Sequence, residues 1–315
     1  MSGSELAVGI DFGAKTIKTG LVFKSHVIDQ APAIATREFG EPSELIDALV
    51  RNVELLKSRH PGIDGLGVGM PGLVDFHRGW VHNLTHVPSW ESVPLGRILH
   101  DRTQLPTVVD NRANCMAEAE WRCGAGRGLQ DLVFVNIETG VGGAIIAGGR
   151  LIRGSRFVAG EIGQTSIDWN GREGEYGNRG AVECYLGSNA VIEDVHDAYA
   201  EAGEEKPDGE CTLSALVSAG HQGNAVAMEM WDRLGGILAT TLMNACWLLN
   251  PQAVVVGGVV TRAGELFFKP LRDRLYASLS DPFRDHLMVL PASCGPDAGM
   301  IGAAALSLEE EQLPV

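Results

Sequence analysis

The sequence predicts an α/β protein of two similar lobes around a central cleft, on three observations. An apolar strand, a glycine-bearing turn and a second apolar strand open the chain at residues 6–23, LAVGIDFG into AKTIKTGLVF. The same device returns at residues 131–152, as DLVFVNIETG into VGGAIIAGGRLI. Around the two copies, short apolar runs alternate with longer amphipathic ones, the pattern of strands interleaved with helices. A chain of 315 residues holding two copies of one unit has room for two ordinary domains, each with its own core.

Taken in order, the first hairpin is followed by a predicted helix over 41–59 and a buried strand, GLGVGM, closed by Pro71 and Gly72. PTVVD at 106–110 is a further short strand, and 114–123 a helix opening just after it. The glycine-rich GAGRG at 124–128 marks a seam between domains. After the second hairpin, a long amphipathic helix over 223–249 leads through Asn250-Pro251 into the strand AVVVGGV. The chain closes with GPDAGMIGAAALSL, a helix rich in small residues. The expected domains are 1–123 and 124–297, with the closing helix, about 298–315, packing back on the first. Residues 208–213 and the acidic tail 309–312 are expected at the solvated surface.

Composition narrows the class. Hydrophobic residues make up 45% and charged residues 21%, the balance of a soluble globular protein. No apolar run reaches the roughly 18–20 residues of a membrane helix. The N-terminal segment lacks a basic stretch followed by an apolar core, so a cytoplasmic location is expected. A net charge of −15 argues against nucleic acid or an anionic membrane as partner. The six cysteines (Cys115, Cys123, Cys184, Cys211, Cys246, Cys294) are scattered without a CxxC pair and are expected to be reduced, without a metal.

Three glycine-bearing turns carry the candidate chemistry. In Asp11-Phe12-Gly13-Ala14-Lys15-Thr16, a carboxylate at a strand end can hold Mg²⁺ through water, and Gly13 lets the backbone approach phosphate. Alone, such a turn is an ordinary hairpin. The second copy, Glu138-Thr139-Gly140-Val141-Gly142-Gly143, offers backbone N–H groups and a hydroxyl to the other side of a polyphosphate. Two turns in corresponding places predict a phosphate cradle of Asp11, Gly13, Lys15, Thr16, Thr139 and Gly140. The third, around Gly257 and Gly258 with Gly299 and Gly302 later, lines an adenosine slot or packs a strand closely on a helix; both remain open.

Eight segments in order carry a resemblance over nearly the whole length: GIDFGAKTIKTGLV, GVGMPGLVD, HNLTHVPSWESVPL, VVDNRANCMAEAE, IETGVGGAIIAGGRLIRG, AGEIGQ, YGNRGAVECY and DAGMIGAAAL. In these the chain is similar to the ROK family of bacterial sugar kinases and related repressors. The resemblance implies two actin-like (ribonuclease H-like) domains, Mg-ATP and a sugar as ligands, and a homodimer. It also implies transfer of the γ-phosphate to a hexose or amino sugar. Asn111, Glu161 and Glu183 match residues that hydrogen-bond sugar hydroxyls, and Gly72 and Asn83 fall on the same substrate side. Without the resemblance, Glu161 and Glu183 would be a helix cap and a surface charge.

The departures are equally specific. The family's aspartate that takes the proton from the attacking hydroxyl is here Arg112, which stays protonated and cannot be a base. Asp110 is the nearest replacement, but neighbours on an extended segment face opposite sides. The family's Gly-Gly-Thr is Gly13-Ala14-Lys15, with Thr16 one place late, and Glu138 stands where glycine is usual. The zinc frame of one histidine and three cysteines is replaced by Gln164, Gly174, Tyr176 and Ala181, so no zinc is expected. Gln164 also takes the place of a sugar-contacting histidine, and Tyr176 is expected to fill the vacated space by packing. Two readings follow: a sugar kinase with an altered active site, or a sugar-phosphate-binding enzyme or sensor in which Arg112 holds the phosphate. A repressor is disfavoured, since the first strand begins by Leu6.

Overall fold

The computed structural model describes residues 5–13, 15–36, 39–84, 87, 89–207 and 212–309. Ala14, Cys211, most of the predicted surface run 208–213 and all but the first residue of the tail 309–312 lie outside them. The chain divides into two compact units. The first comprises residues 1–128, a returning segment 151–159, and 293–315; the second comprises 129–150 and 160–292.

In the first unit the strands are β1 (Leu6–Phe12), β2 (Thr16–Phe23), β3 (His26–Gln30), β4 (Ile34–Ala35), β5 (Gly65–Met70), β6 (Val74–Asp75), β7 (Trp80–Asn83), β8 (Glu91–Val93) and β9 (Thr107–Asn111). The main sheet has the order β3-β2-β1-β5-β9, with β4 beside β2, and β6-β7-β8 form a small second sheet. Strand β1 is antiparallel to β2 and parallel to β5, which is parallel to β9. Strand β5, and β1 apart from Asp11, read as continuous apolar or glycine runs because they are central and covered on both faces. One cover is α1 (Pro42–Arg59), whose Leu45, Leu49, Val53 and Leu56 recur at helical spacing and are buried. Pro42 opens it, and Lys57 and Arg59 face the negative end of its dipole. Helices α2 (Leu95–Thr103) and α3 (Arg112–Cys123) complete the segment before the seam. Helix α3 starts two residues before the predicted 114, because Asn111 Oδ1 accepts the Ala113 N–H at 2.7 Å and caps it.

The second unit holds β10 (Leu132–Ile137), β11 (Val141–Ala147), β12 (Arg150–Leu151, at the border of the units), β13 (Ala253–Gly258) and β14 (Met288–Pro291) in the order β12-β11-β10-β13-β14. Here too one strand, β10, is antiparallel to its hairpin partner β11 and parallel to the next, β13, which is parallel to β14. The repeated hairpin of the sequence is therefore a repeated sheet topology. Its helices are α4 (Glu183–Leu186), α5 (Ser188–Ala202), α6 (Leu213–His221), α7 (Ala225–Leu249), α8 (Glu265–Ala277) and α9 (Asp281–Arg284). The long α7 begins on the cap of Asn224 rather than at 223, and its Trp231 packs edge-on to Phe267 of α8 inside the core.

The last helix, α10 (Ala298–Ser307), belongs to the first unit and packs on β1, β5 and α3. It does so backbone to backbone. A Cβ on Gly67 of β5 would lie 1.7 Å from the Ala303 carbonyl oxygen, and one on Gly302 would lie 1.6 Å from that of Cys115. The small residues of GMIGAAAL are thus a requirement of distance. Gly67→Ala is expected to cost about 3 kcal/mol, the upper range for overpacking, because the clash is with backbone. Gly40→Ala meets no atom within 4 Å and is expected to stay within about 0.5 kcal/mol of wild type. Urea denaturation of both variants, with equal slopes, checks the difference.

Candidate functional site

The first unit gathers its candidate residues into two clusters. Asp11 is the penultimate residue of β1 and is buried, and its carboxylate lies against the first turn of α10, where a Cβ on Gly299 would sit 2.4 Å from Asp11 Cγ. Arg112, at the start of α3, reaches it as a two-pronged pair: Nε donates to Oδ1 at 2.6 Å and Nη2 to Oδ2 at 3.3 Å. Aspartate and arginine therefore neutralise each other. Each carboxylate oxygen accepts one arginine N–H, so a Mg²⁺ ion held here through water would share Asp11 with Arg112. In the adjoining turn the Gly13 N–H donates to the Thr16 carbonyl at 3.1 Å, while Lys15 and Thr16 are exposed.

The second cluster is a chain of contacts through Asn111, Gly72 and Asn83. Asn111 Nδ2 donates to the Gly72 carbonyl at 3.1 Å. Gly72 has φ +80°, and a Cβ there would meet the Asn83 carbonyl at 2.9 Å. Asn83 Oδ1 in turn accepts the Leu73 N–H at 3.4 Å. Asn111, Gly72 and Asn83 are brought together, with Asn111 also capping α3.

Asp110 faces away from them. It is buried, and its Oδ2 accepts Arg153 Nε at 2.8 Å while Oδ1 accepts Asn114 Nδ2 at 2.9 Å. The guanidinium of Arg153 stacks over Phe76, 3.8 Å from the ring centroid. Asp110 is thus engaged in a buried ion pair with Arg153. Nothing in the sequence pairs Arg153 with Asp110; only the return of residues 151–159 to the first unit does so.

In the second unit, Glu183 begins α4 and is neither exposed nor idle. Its Oε2 accepts the Val141 N–H at 2.8 Å, and its Oε1 accepts Gln164 Nε2 at 3.4 Å. Gly140 is required for this approach, since a Cβ there would lie 2.3 Å from Glu183 Oε2. Gly140 thus lets the Glu183 carboxylate seat on the turn, beside exposed Thr139. Glu161 precedes the short 3₁₀ turn Ile162–Gln164. Burial and the neighbouring Glu183 charge push its carboxyl above the usual carboxylate range. Gly258, with φ +88°, sits so close to β10 that a Cβ would be 1.9 Å from the Ile137 carbonyl oxygen, and Gly257 lies against Asn136. Close strand packing is sufficient reason for both glycines.

The segment that replaces the zinc frame is pinned by other means. Arg172 Nη2 donates to Asp194 at 2.5 Å and Nη1 to the Cys184 carbonyl at 2.9 Å, and its guanidinium lies 4.8 Å from the Tyr185 ring centroid. Asn178 Nδ2 donates to the Gln164 carbonyl at 2.8 Å. Tyr176 does not fill the vacated space: it is 60% exposed, because Arg172 and Asn178 already close the loop. Gly174 and Ala181 supply no metal donor, and among the described residues no group of three His, Cys, Asp or Glu side chains could hold a metal. Arg172 and Asn178 escaped the sequence reading because their partners lie 22 and 14 residues away. Among the described residues no helix is long and apolar enough to cross a membrane.

The sequence matches the ROK family over residues 7–310. The chain belongs to the ROK family. A glucokinase of Halalkalibacterium halodurans is 29% identical to it, the match covering 96% of this chain and 95% of that one. A xylose repressor of Caldicellulosiruptor bescii is also 29% identical, covering 84% of this chain and 69% of the repressor. Among solved structures, a ROK family glucokinase from Streptomyces griseus in complex with glucose and AMPPNP superposes with a TM-score of 0.83 at 30% identity, covering 96% and 99% of the two chains. The mixed α/β architecture is that of the ROK actin-like fold.

Two variants test the electrostatics of these clusters. Arg153→Leu leaves Asp110 buried and unpaired and is expected to cost about 3–5 kcal/mol, most of it recovered in Arg153→Leu/Asp110→Asn; chemical denaturation of the pair measures this. For Glu161 the folded state holds the proton more tightly than the unfolded chain. Its ionisation therefore weakens the fold as pH rises from the ordinary carboxylate range through the raised value. Glu161→Gln is expected to raise Tm at pH 7 and to leave it unchanged at pH 3.

Proposed function

We propose that this protein binds a hexose-class sugar or its phosphate in the frame of the ROK sugar kinases and does not transfer phosphate from ATP at kinase rates. The ion pair between Arg112 and Asp11 carries this reading. It puts a permanent cation where the family has a base, and that cation shares the carboxylate that would hold the nucleotide's metal. Further support comes from Asp110, held by Arg153, and from Glu138 beside the second phosphate turn. A triphosphate without its cation would face that carboxylate at a cost.

The sugar side keeps the family's residue types except at Gln164, which stands for a histidine. Asn111, Gly72 and Asn83 in the first unit and Glu161, Gln164 and Glu183 in the second are the assigned contacts, with carboxylates accepting from vicinal hydroxyls. Identity to a glucokinase that binds glucose supports the ligand class. Family membership leaves the reaction open, since relatives include both glucokinases and xylose repressors. A ligand phosphate would share the Arg112 guanidinium with Asp11 rather than displace it, since a buried carboxylate left without its cation is costly. A cytoplasmic homodimer without nucleic acid as partner completes the proposal.

The deciding experiment incubates a panel of hexoses, amino sugars and their phosphates with Mg-ATP and follows phosphosugar by mass spectrometry. Wild type is expected to form no product at kinase rates, while Arg112→Asp gains at least about 100-fold, within the range a general base supplies. A wild-type phosphosugar formed at ordinary kinase turnover would sink the proposal. In parallel, Glu161→Gln is expected to weaken sugar binding by about 10–100-fold in calorimetry, the worth of a charged hydrogen bond.

A further inference from the structure

Two cysteines that the sequence separates by 171 positions lie side by side in the first unit. Cys123 is the last residue of α3, Cys294 follows β14, and their sulfurs are 3.8 Å apart. A disulfide needs a sulfur separation near 2.05 Å, so the bond closes by a shift of about 1.8 Å. Cys123 is exposed and Cys294 half-buried, so one sulfur meets an incoming reagent and the other waits behind it.

The surroundings divide the roles. Hydrogen bonding with Cys294, opposed by burial and aided by Ser25 and His26, holds the Cys123 thiol below the ordinary range. In its protonated form Cys123 donates instead to the Ala119 carbonyl at 3.2 Å. Cys294 lies against the Cys123 and Glu120 side chains and is pushed up. The backbone around the pair is fixed by Glu120, whose carboxylate accepts the Ser293 N–H at 2.9 Å, the Cys294 N–H at 2.7 Å and the Ala125 N–H at 2.9 Å. The two sulfurs are therefore held in reach of each other by a buried anchor.

We propose that Cys123 and Cys294 form a reversible disulfide, with Cys123 as the attacking and Cys294 as the resolving thiol, and a low-molecular-weight disulfide as the oxidant. The Cys123 thiolate attacks one sulfur of the reagent and expels the other half as a thiolate, leaving a mixed disulfide. Cys294 then gives up its proton, attacks the Cys123 sulfur and expels the second half. Two protein thiols are oxidised and one reagent disulfide is reduced to two thiols.

Oxidised glutathione is the probe, added to the reduced full-length protein, with intact mass and peptide mapping as readouts. The expected product has lost the mass of two hydrogens, carries one cross-linked peptide pair containing Cys123 and Cys294, and reverts with dithiothreitol. Its Tm is expected to rise by about 5 °C or more over the reduced form, since the bond closes a long loop. Cys294→Ala should stop at a glutathione adduct on Cys123, and Cys123→Ala should form neither species at this pair. Wild type that accumulates only the adduct, pairs other cysteines, or remains unmodified overturns the proposal. A variant too unstable to test is replaced by native-state alkylation of wild type, where Cys123 must react at least about tenfold faster than Cys294.

Discussion

A buried carboxylate must be given a cation or a set of N–H donors, and much of this molecule is arranged around that demand. Among the described residues Asp11, Asp110, Glu118, Glu120 and Asp194 are all buried. Asp11 has Arg112, Asp110 has Arg153, Glu118 has Arg122, and Asp194 has both Arg172 and Arg233. Glu120 takes backbone N–H groups instead and so fixes the place where the chain re-enters the first unit. In a chain with 40 acidic and 25 basic residues, arginines spent in this way are a scarce resource. Replacing one partner of such a pair changes the state of the other, which is why a single arginine at position 112 alters the meaning of Asp11.

The family frame survives these changes because its parts depend on different forces. The sheets rest on apolar burial and on close backbone approach, neither of which involves position 112. The segment from Gln164 to Glu183 once more shows the separation. Where thiolates would have tied it to a metal, Arg172 reaches Asp194, a carbonyl and an aromatic face, and Asn178 reaches the Gln164 carbonyl. Glu183 in turn is held by the Val141 N–H and by Gln164.

What was legible in the sequence is what local pattern controls. The two hairpins, the strand GLGVGM, the helices around α1 and α7, and the small-residue character of α10 follow from periodicity, glycine placement and caps. The resemblance located Asn111, Gly72 and Asn83, which the fold gathers, and Glu183 with Gln164, which it joins. Long-range pairings were illegible. No spacing rule connects Asp110 with Arg153, Arg112 with Asp11, or Cys123 with Cys294, since each depends on which segments the tertiary fold lays side by side. Tyr176 was misjudged for the same reason: the residues that close its loop are named by contact, not by order. The start of α3 was missed because an asparagine assigned to a ligand also serves as a cap.

The position of α10 has a consequence for the order of events during synthesis. The first unit needs a helix that is made only after the whole second unit, because Gly9 of β1 and Gly67 of β5 lie directly against the α10 backbone. Every strand and helix of the second unit has been made by then. Translation thus reverses the order of the chain: the second unit can complete its core first, while the opening hairpin waits, uncovered on one face, for the closing helix.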